Sequence, residues 1–273
     1  MKLLCIDIGN THTHFATLGE DAATIRPRTV PTGDIGRPGT ALEEAILALR
    51  SAGSGAGLAC CSVAPNAEKE LFRRLDEWPE LPKPFRLTHQ NLPGYVRLHY
   101  PRPEEIGADR LANTVAAIHE HPGPTIVIDL GTAVTFDIIS ARHGYEGGII
   151  APGIGVMTGY LHRQTALLPR LEEPFVSPGN IGKSTREAMT IGCVVGFQGM
   201  IEALLSGVAN ELAGTGETAP TVILTGGTAE FLFLGAAGET KKPAHTLAGF
   251  PVRIVPELTL RGLALAFREL NST

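Results

Sequence analysis

Residues 5–13 read CIDIGNTHT, and residues 127–135 read VIDLGTAVT. Each stretch begins as a short apolar run, reaches Asp-x-Gly followed by hydroxyl or amide residues, and then resumes an alternation of apolar and polar residues. This pattern predicts two strands joined by a tight turn, a hairpin whose turn displays an acid and backbone N–H groups. The copies lie 122 residues apart, from Asp7 to Asp129, and so indicate two domains of similar build that each open with this hairpin. The alternative is a coincidence between two unrelated hairpins.

The rest of the chain alternates predicted strands with predicted helices, which is typical of the α/β class. Hydrophobic spacing and caps predict helices over 42–50, 156–168 and about 257–270, and a helix that contains Leu111, Val115 and Ile118. Two more helices are predicted, one from Asn66 to about Trp78 and one that begins at the capping box Ser184–Glu187. Buried strands are predicted over 58–63, 221–224 and 252–255, with a polar loop over 235–248. The run Pro122-Gly123-Pro124 favours a boundary between domains 1–120 and 121–273, and the closing helix is a candidate to pack back on the N-terminal domain.

The composition narrows the class of protein. The 273 residues (28.9 kDa) include 43% apolar and 19% charged residues, a balance expected of a packed chain with two domains. The net charge of −5 comes with no basic stripe, which disfavours a nucleic-acid partner. Glycine and proline interrupt the longest uncharged apolar stretch, 147–161, so no membrane span is expected, and Asp7 comes too early for a secretory signal. Four cysteines without metal-ligand spacing are expected to be buried thiols, which favours a cytoplasmic location.

The turn of the first hairpin has the chemistry of a phosphate site. Glycine lets backbone N–H groups approach phosphate oxygens, and Thr11 and Thr13 add hydroxyl donors. Asp7, at the strand end, offers an oxygen ligand for Mg²⁺. The second acidic hairpin and the run Thr225-Gly226-Gly227 strengthen this interpretation. Two hairpins can hold a triphosphate from both sides of a cleft, and a Gly-Gly strand end admits a flat nucleoside.

Together these motifs resemble the acetate-and-sugar-kinase, Hsp70 and actin superfamily, in which ATP lies between two RNase-H-like domains. More closely, the chain is similar to the type III pantothenate kinases, which catalyse the first step of coenzyme A synthesis. The resemblance runs nearly end to end and rests on the order and spacing of 7–11 (DIGNT), 107–113 (GADRLAN), 129–135 (DLGTAVT), 147–153 (GGIIAPG), 181–185 (IGKST) and 225–227 (TGG). It implies an α/β fold of two RNase-H-like domains related by internal duplication, with an ATP cleft between them, and ATP-dependent phosphorylation of pantothenate to 4′-phosphopantothenate.

The resemblance also implies roles for individual residues. Asp109 matches the proton acceptor for the substrate hydroxyl, and Asp129 matches the ligand of a monovalent cation, K⁺ or NH₄⁺. Thr185 matches a residue that the family contributes to the pantothenate pocket from the partner subunit of a homodimer. The rest of that pocket is expected at Tyr100, Gly107, Ala108, Asp109 and Arg110. The ATP contacts, with Mg²⁺ at Asp7, are expected at Asp7, Ile8, Gly9, Asn10, Thr11, His12, Thr13, His14, Gly131, Thr132, Gly226 and Gly227.

Considered by chemistry alone, the proposed substrate residues are compatible with more than one role. Asp109 lies near a predicted helix start, where partial positive charge favours an ionised carboxylate, and an ordinary first-turn acid has the same position. Arg110 offers a planar fork for a carboxylate or is a surface cation. Tyr100 either closes the pocket or packs in a loop, and Thr185 either meets the substrate or is a second cap beside Ser184.

Two histidines of the first hairpin depart from the family pattern. His12 and His14 share one strand face, where they either bind a metal or give a polar lining beside the phosphates. Members often carry Lys or an aliphatic residue at the position of His14 and Gly near Ala16, which bears on how this turn contacts phosphate.

Two alternative functions stay open at this stage. One is a kinase or phosphatase of the same superfamily that acts on another small hydroxylated substrate. The other is a non-catalytic nucleotide-binding regulatory protein. The presence of both Asp109 and Thr185 favours an enzyme, because a module that only binds nucleotide does not need an acceptor base.

Overall fold

The structure is a computed structural model that describes residues 2–19, 25–52, 55–172, 175, 177–229 and 246–271. The chain divides into two compact units. The first unit consists of Met1–Pro122, His143–Tyr145 and Glu257–Thr273, and the second consists of Gly123–Arg142 and Glu146–Pro256. The closing segment therefore belongs to the unit in which the chain begins.

Strands and helices alternate along the described part of the chain, as the sequence predicts for the α/β class. The strands are β1 (Lys2–Ile8), β2 (His12–Leu18), β3 (Arg28–Pro31), β4 (Ala56–Ser62), β5 (Phe85–Arg86), β6 (Thr125–Leu130), β7 (Ala133–Ser140), β8 (Gly144–Pro152), β9 (Thr221–Thr225), β10 (Thr246–Leu247) and β11 (Phe250–Ile254). The helices are α1 (Ala41–Arg50), α2 (Pro65–Leu75), α3 (Ala108–Glu120), α4 (Ile154–Gln164), α5 (Thr185–Gly214) and α6 (Leu258–Asn271).

The first unit is a mixed sheet with helices on both faces. Its strand order is β3-β2-β1-β4-β5, and β1 runs antiparallel to β2 and parallel to β4. Because successive side chains of a strand point to opposite faces, β1 contributes to two cores. Leu3 and Cys5 pack in the core that contains residues of α3 and α6, whereas Leu4 and Ile6 pack in the core that contains residues of α1 and α2.

The sheet of the second unit repeats this strand arrangement. Its strand order is β10-β11-β9-β6-β7-β8, with β6 antiparallel to β7 and parallel to β9. When β10 is set aside and the strands are numbered by their order within each unit, both sheets run 3-2-1-4-5. The two predicted hairpins are therefore confirmed, and each supplies the first two strands of an equivalent sheet.

Asp7 and Asp129 occupy equivalent places in the two hairpins. Each lies one residue before the end of the first strand, and their cross-strand neighbours are His14 and Thr135. The turn of the first hairpin has one residue more than the turn of the second. The acid is therefore retained in the duplicated position although the turns differ.

The predicted limits of α2 are wrong at both ends. The helix begins at Pro65 with Ala64 in the N-cap position, so Asn66 lies inside the first turn and is not the cap. Proline suits the first helical position because its fixed φ matches the helix and its missing N–H needs no partner there. The helix ends at Leu75, before Trp78.

Two further limits differ from the prediction, and the cysteines agree with it. α4 begins and ends earlier than the predicted helix over 156–168. The end of the predicted loop over 235–248 contains strand β10, and 235–245 lies outside the described residues. All four cysteines are free and buried, as predicted.

α5 is a 30-residue helix that is long and apolar enough, by length and composition, to cross a membrane. Ser184 caps it, because its hydroxyl accepts a hydrogen bond from the Glu187 N–H at 3.2 Å, as the predicted capping box requires. Met189, Phe197 and Ile201, which the sequence places on its apolar face, are buried in the core of the second unit. Core helices of globular domains pass the same test of composition, and the burial of this face favours that description.

Candidate active site

Two predicted acids of the first unit lie near one buried thiol. Asp7 in β1 is the register neighbour of Cys61 in β4, and the Cys61 thiol donates to Asp7 Oδ1 at 3.5 Å. Burial raises the pKa of Cys61, and the negative charges of Asp7 and Asp109 raise it further. The thiol is therefore neutral and able to donate. The fold therefore brings Asp7 and Asp109 to the same end of the sheet of the first unit.

Asp109 lies in the first turn of α3 and is half-buried. Its Oδ1 accepts a hydrogen bond from the Arg110 N–H at 2.7 Å. Burial raises the pKa of Asp109 above its ordinary value, and the N–H and charge of Arg110 offset this only in part. Desolvation of the charged form is therefore a larger effect on the pKa of Asp109 than the favourable contacts at the helix start. A carboxylate with a raised pKa is a stronger proton acceptor once it is ionised.

Gly107 is required by the position of the Asp109 carboxylate. It is the N-cap of α3. A Cβ at this position would lie 2.6 Å from Asp109 Oδ1 and 3.3 Å from Val63 Cγ1. Only glycine leaves room for the carboxylate where it stands, which explains the Gly-x-Asp spacing of the motif.

Thr32, directly after β3, holds the turn of the first hairpin in place. Its hydroxyl donates to the carbonyl oxygen of Gly9 at 2.8 Å, and its N–H donates to the carbonyl oxygen of Thr11 at 2.9 Å. Thr13 is fully buried, and its hydroxyl shares a 3.0 Å hydrogen bond with the Thr32 hydroxyl. The Thr13 hydroxyl thus braces the turn, whereas Asn10 and Thr11 are exposed on it. The sequence gives no local signal for Thr32, because it lies outside the hairpin.

The two histidines of the first hairpin are in different environments. His14 is half-buried and its Nδ1 lies 2.9 Å from the Thr29 hydroxyl oxygen, whereas His12 is exposed. Burial lowers the pKa of His14, and the nearby His12 lowers it further. The ring centroids are 6.4 Å apart. The hydrogen bond to Thr29 and the lowered pKa of His14 agree with the interpretation of this pair as a polar lining.

Tyr145 connects two of the predicted substrate residues. It is buried, its ring centroid lies 6.0 Å from that of Tyr100, and the two rings are nearly perpendicular at 72°. The Arg110 guanidinium lies 5.9 Å from the Tyr145 ring centroid. Tyr100 and Arg110 are therefore gathered around a side chain that the sequence analysis did not single out.

A cavity of about 300 Å³ lies in the first unit beside the start of α3. Gly107 and Ala108 line it, as do polar residues that include the ion pair of Arg86 and Glu68, whose atoms Nε and Oε1 are 2.6 Å apart. The side chain of Asp109 does not line this cavity. The cavity therefore reaches one side of the predicted substrate loop.

In the second unit, Gly226 follows β9 and packs against Asp129. Its φ of +89° lies in the left-handed region, and a Cβ there would be 2.6 Å from Asp129 Oδ1 and from the backbone N of Leu130. The neighbouring Gly227 has open space around its Cβ position. The Gly-Gly pair thus has one member that the structure requires and one that it does not.

Two hydrogen bonds from residues outside the second hairpin hold its turn in place. The Gly153 N–H donates to the carbonyl oxygen of Thr132 at 3.1 Å. The Thr228 hydroxyl donates to the carbonyl oxygen of Leu130 at 2.7 Å. Thr132 itself is exposed, and Thr185 is exposed at the start of α5. Of the predicted site residues, Asp129, Gly131, Thr132, Thr185, Gly226 and Gly227 belong to the second unit and the others to the first.

A model of the type III pantothenate kinase family matches residues 3–207 of the chain. The chain belongs to this family. The kinase is 36% identical over 266 residues to a type III pantothenate kinase of Akkermansia muciniphila, and this alignment covers 97% of this chain and 98% of the relative. It is 37% identical over 265 residues to a type III pantothenate kinase of Streptomyces avermitilis, and this alignment covers 93% of this chain and 97% of the relative.

A solved structure supports the fold of the kinase. A Baf family protein of Campylobacter jejuni matches 99% of this chain and 100% of its own with a TM-score of 0.59 at 20% identity. The duplicated sheets belong to the actin-like ATPase fold, as the resemblance implies. The kinase transfers a phosphoryl group from ATP, which carries Mg²⁺, to pantothenate in the first step of coenzyme A biosynthesis.

Proposed function

We propose that Asp109 is the catalytic residue that accepts the proton of the pantothenate hydroxyl during phosphoryl transfer. The hydroxyl oxygen forms a bond to the γ-phosphorus of ATP, the bond from that phosphorus to the β–γ bridging oxygen breaks, and the hydroxyl proton passes to Asp109. The observation that supports this role is that Asp109 and Asp7 both lie near the Cys61 thiol in the first unit. The acid proposed to hold Mg²⁺ and the proposed proton acceptor are then in the same part of the first unit.

We propose that Tyr100, Gly107, Ala108 and Arg110 form the pantothenate pocket around Asp109. Arg110 is suited to the substrate carboxylate, because its planar guanidinium matches two oxygens at once. Its place near the Tyr145 ring limits the directions in which it can point. Tyr100, which contacts the same ring, supplies an apolar wall for the pantoyl methyl groups.

The first turn is proposed to bind the ATP phosphates through residues 7–14, with Mg²⁺ at Asp7. The carboxylate of Asp7 is a half-buried oxygen donor at a strand end, which suits a hard cation. Bound Mg²⁺ neutralises charge on the phosphates. Asn10 and Thr11 are exposed on this turn, whereas Thr13 contributes by bracing it.

The second unit is proposed to bind ATP at Gly131, Thr132, Gly226 and Gly227 and to hold K⁺ or NH₄⁺ at Asp129. Asp129 is a half-buried carboxylate packed beside Gly226, and oxygen ligands suit such a cation. Activity is expected to rise with K⁺ or NH₄⁺ and to stay low in Na⁺ alone, and Asp129→Asn is expected to remove the difference. Equal rates in all three salts would contradict this assignment.

We further propose a cytoplasmic homodimer in which Thr185 enters the pocket of the partner subunit. The outward face of α5 supports this arrangement, because the exposed residues Gly192, Gly196, Gly199 and Ala203 recur at helical spacing and leave a smooth surface for close packing. Thr185 is exposed at the start of the same helix.

The central experiment is Asp109→Asn, which keeps the shape of the side chain and removes the acceptor. Turnover is expected to fall by about 10²–10⁴-fold, since this is the usual contribution of a general base. ATP binding is expected to persist. Asp76→Asn, an exposed acid after α2, is the matched control and should leave turnover unchanged. Unchanged turnover in Asp109→Asn would remove the catalytic assignment.

Subunit mixing tests the shared pocket. Asp109→Asn and Thr185→Ala are each expected to be inactive alone. A mixture is expected to regain about a quarter of the wild-type rate, because random pairing makes half of the dimers mixed and each mixed dimer has one intact site. No recovery in a mixture shown to contain mixed dimers would contradict a pocket shared between subunits.

A further inference from the structure

A pair of exposed histidines in the first unit has no part in the proposed reaction. His99 follows a short bridge in which Leu98 pairs with Tyr145, and His143 lies two residues before that tyrosine. The two imidazole ring centroids are 4.7 Å apart with a tilt of 32°. One ring nitrogen of each histidine lies within 4.8 Å of the other.

The backbone holds these two segments together. The His99 N–H donates to the carbonyl oxygen of Tyr145 at 2.8 Å, and the Tyr145 N–H donates to the carbonyl oxygen of Arg97 at 2.9 Å. Gly144 has a φ of +81°, and a Cβ there would meet the Arg97 backbone. The histidines are thus presented side by side by a fixed scaffold, although they are 44 residues apart in the chain.

Two neighbouring imidazoles on such a scaffold have the chemistry of a metal site. Neutral imidazole suits Zn²⁺, Cu²⁺ and Ni²⁺, whereas Mg²⁺ prefers oxygen ligands. A Zn–N bond is about 2.0–2.1 Å long, so small rotations of the two rings bring both nitrogens to one ion. Water can complete the coordination, because both side chains are exposed.

We propose that His99 and His143 form a binding site for a late first-row divalent transition ion, with Zn²⁺ as the representative case. The site is independent of the Mg²⁺ that accompanies ATP. Bound metal cross-links the segments on either side of the Leu98–Tyr145 bridge. It therefore stabilises the folded chain by mass action.

The test is a calorimetric titration of the full-length kinase with Zn²⁺ and, separately, with Mg²⁺ in the absence of nucleotide. One saturable Zn²⁺ site is expected, with no Mg²⁺ binding at this pair. His99→Gln and His143→Gln are each expected to weaken Zn²⁺ binding by more than the roughly 10–100-fold that loss of an outer-shell partner costs. His162→Gln, an exposed histidine in α4, is the matched control and should bind Zn²⁺ as the wild type does.

Thermal unfolding gives a second readout that does not depend on kinase activity. Zn²⁺ is expected to raise the unfolding temperature of the wild type and of His162→Gln, and to leave folded His99→Gln and His143→Gln unchanged. Absence of saturable binding, or binding that both variants at the pair retain, would overturn the proposal. Neither result bears on Asp109, so failure here is distinguishable from failure of the proposed reaction.

Discussion

Replacing Gly226 by alanine should damage the fold at the proposed cation site. The φ of +89° costs a residue with a Cβ roughly 1–2 kcal/mol. The added Cβ would also lie 2.6 Å from the backbone N and C of Leu130 and from Asp129 Oδ1. Backbone atoms cannot rotate away as a flexible side chain can, and overpacking of this kind costs about 1–3 kcal/mol. The sum, on the order of 2–5 kcal/mol, is a large part of the 5–15 kcal/mol that stabilises a typical protein.

The assay is urea unfolding of Gly226→Ala, followed by circular dichroism, with Gly227→Ala as the control. The control has the same chemical change one residue along, with no atom within 4 Å of its Cβ position. Its stability is expected to stay within about 0.5 kcal/mol of the wild type. Because Gly226 packs on Asp129, Gly226→Ala should also reduce activation by K⁺. Equal unfolding midpoints for the two variants would refute the reasoning.

Two further predictions concern α3. Gly262→Ala should destabilise the kinase by about 1–3 kcal/mol in the same unfolding assay, because its Cβ would overlap the carbonyl oxygen of Ala112 where α6 crosses α3. Burial raises the pKa of Asp109, so kcat/KM should fall on the acid side at a pH above the ordinary range for aspartate. The folded state binds the Asp109 proton more tightly than the unfolded state, so the contribution of Asp109 to stability falls as pH rises through this range.

Each of these predictions has its own control. Gly155→Ala adds a methyl group to the exposed side of α4, where nothing lies within 4 Å, and should not destabilise. A Gly262→Ala variant as stable as Gly155→Ala would contradict tight packing of α3 on α6. Asp109→Asn should be more stable than the wild type at neutral pH, with the difference shrinking as the pH falls. A stability difference that grows toward acid pH would contradict the raised pKa of Asp109.

Local patterns predicted a large part of the fold. The duplicated hairpins, the α/β alternation and the Ser184 cap each depend on residues near one another in the chain, so the sequence displays them directly. The start of α2 was harder to predict, because Pro65 and Asn66 both suit a helix start and only the backbone of the folded chain distinguishes them.

The ionisation of Asp109 could not be predicted from its position in a helix. The first turn favours the charged form, and that much follows from the sequence. The stronger, opposite effect is burial, which depends on the elements that surround Asp109. Thr32 and Tyr145 were missed for a similar reason, because each meets the site residues only when distant segments come together.

The sequence by itself determined the two acidic turns, their glycines and the membership of the family, since these are properties of residue order and spacing. Tertiary structure alone decided that Asp7 and Asp109 lie near the same thiol, that Gly226 must be glycine while Gly227 need not be, and that two distant histidines stand side by side. The physical reason is that strand pairing and burial join residues far apart in the chain. Those neighbours then determine the ionisation of a carboxylate, the room for a Cβ and the distance between two possible metal ligands.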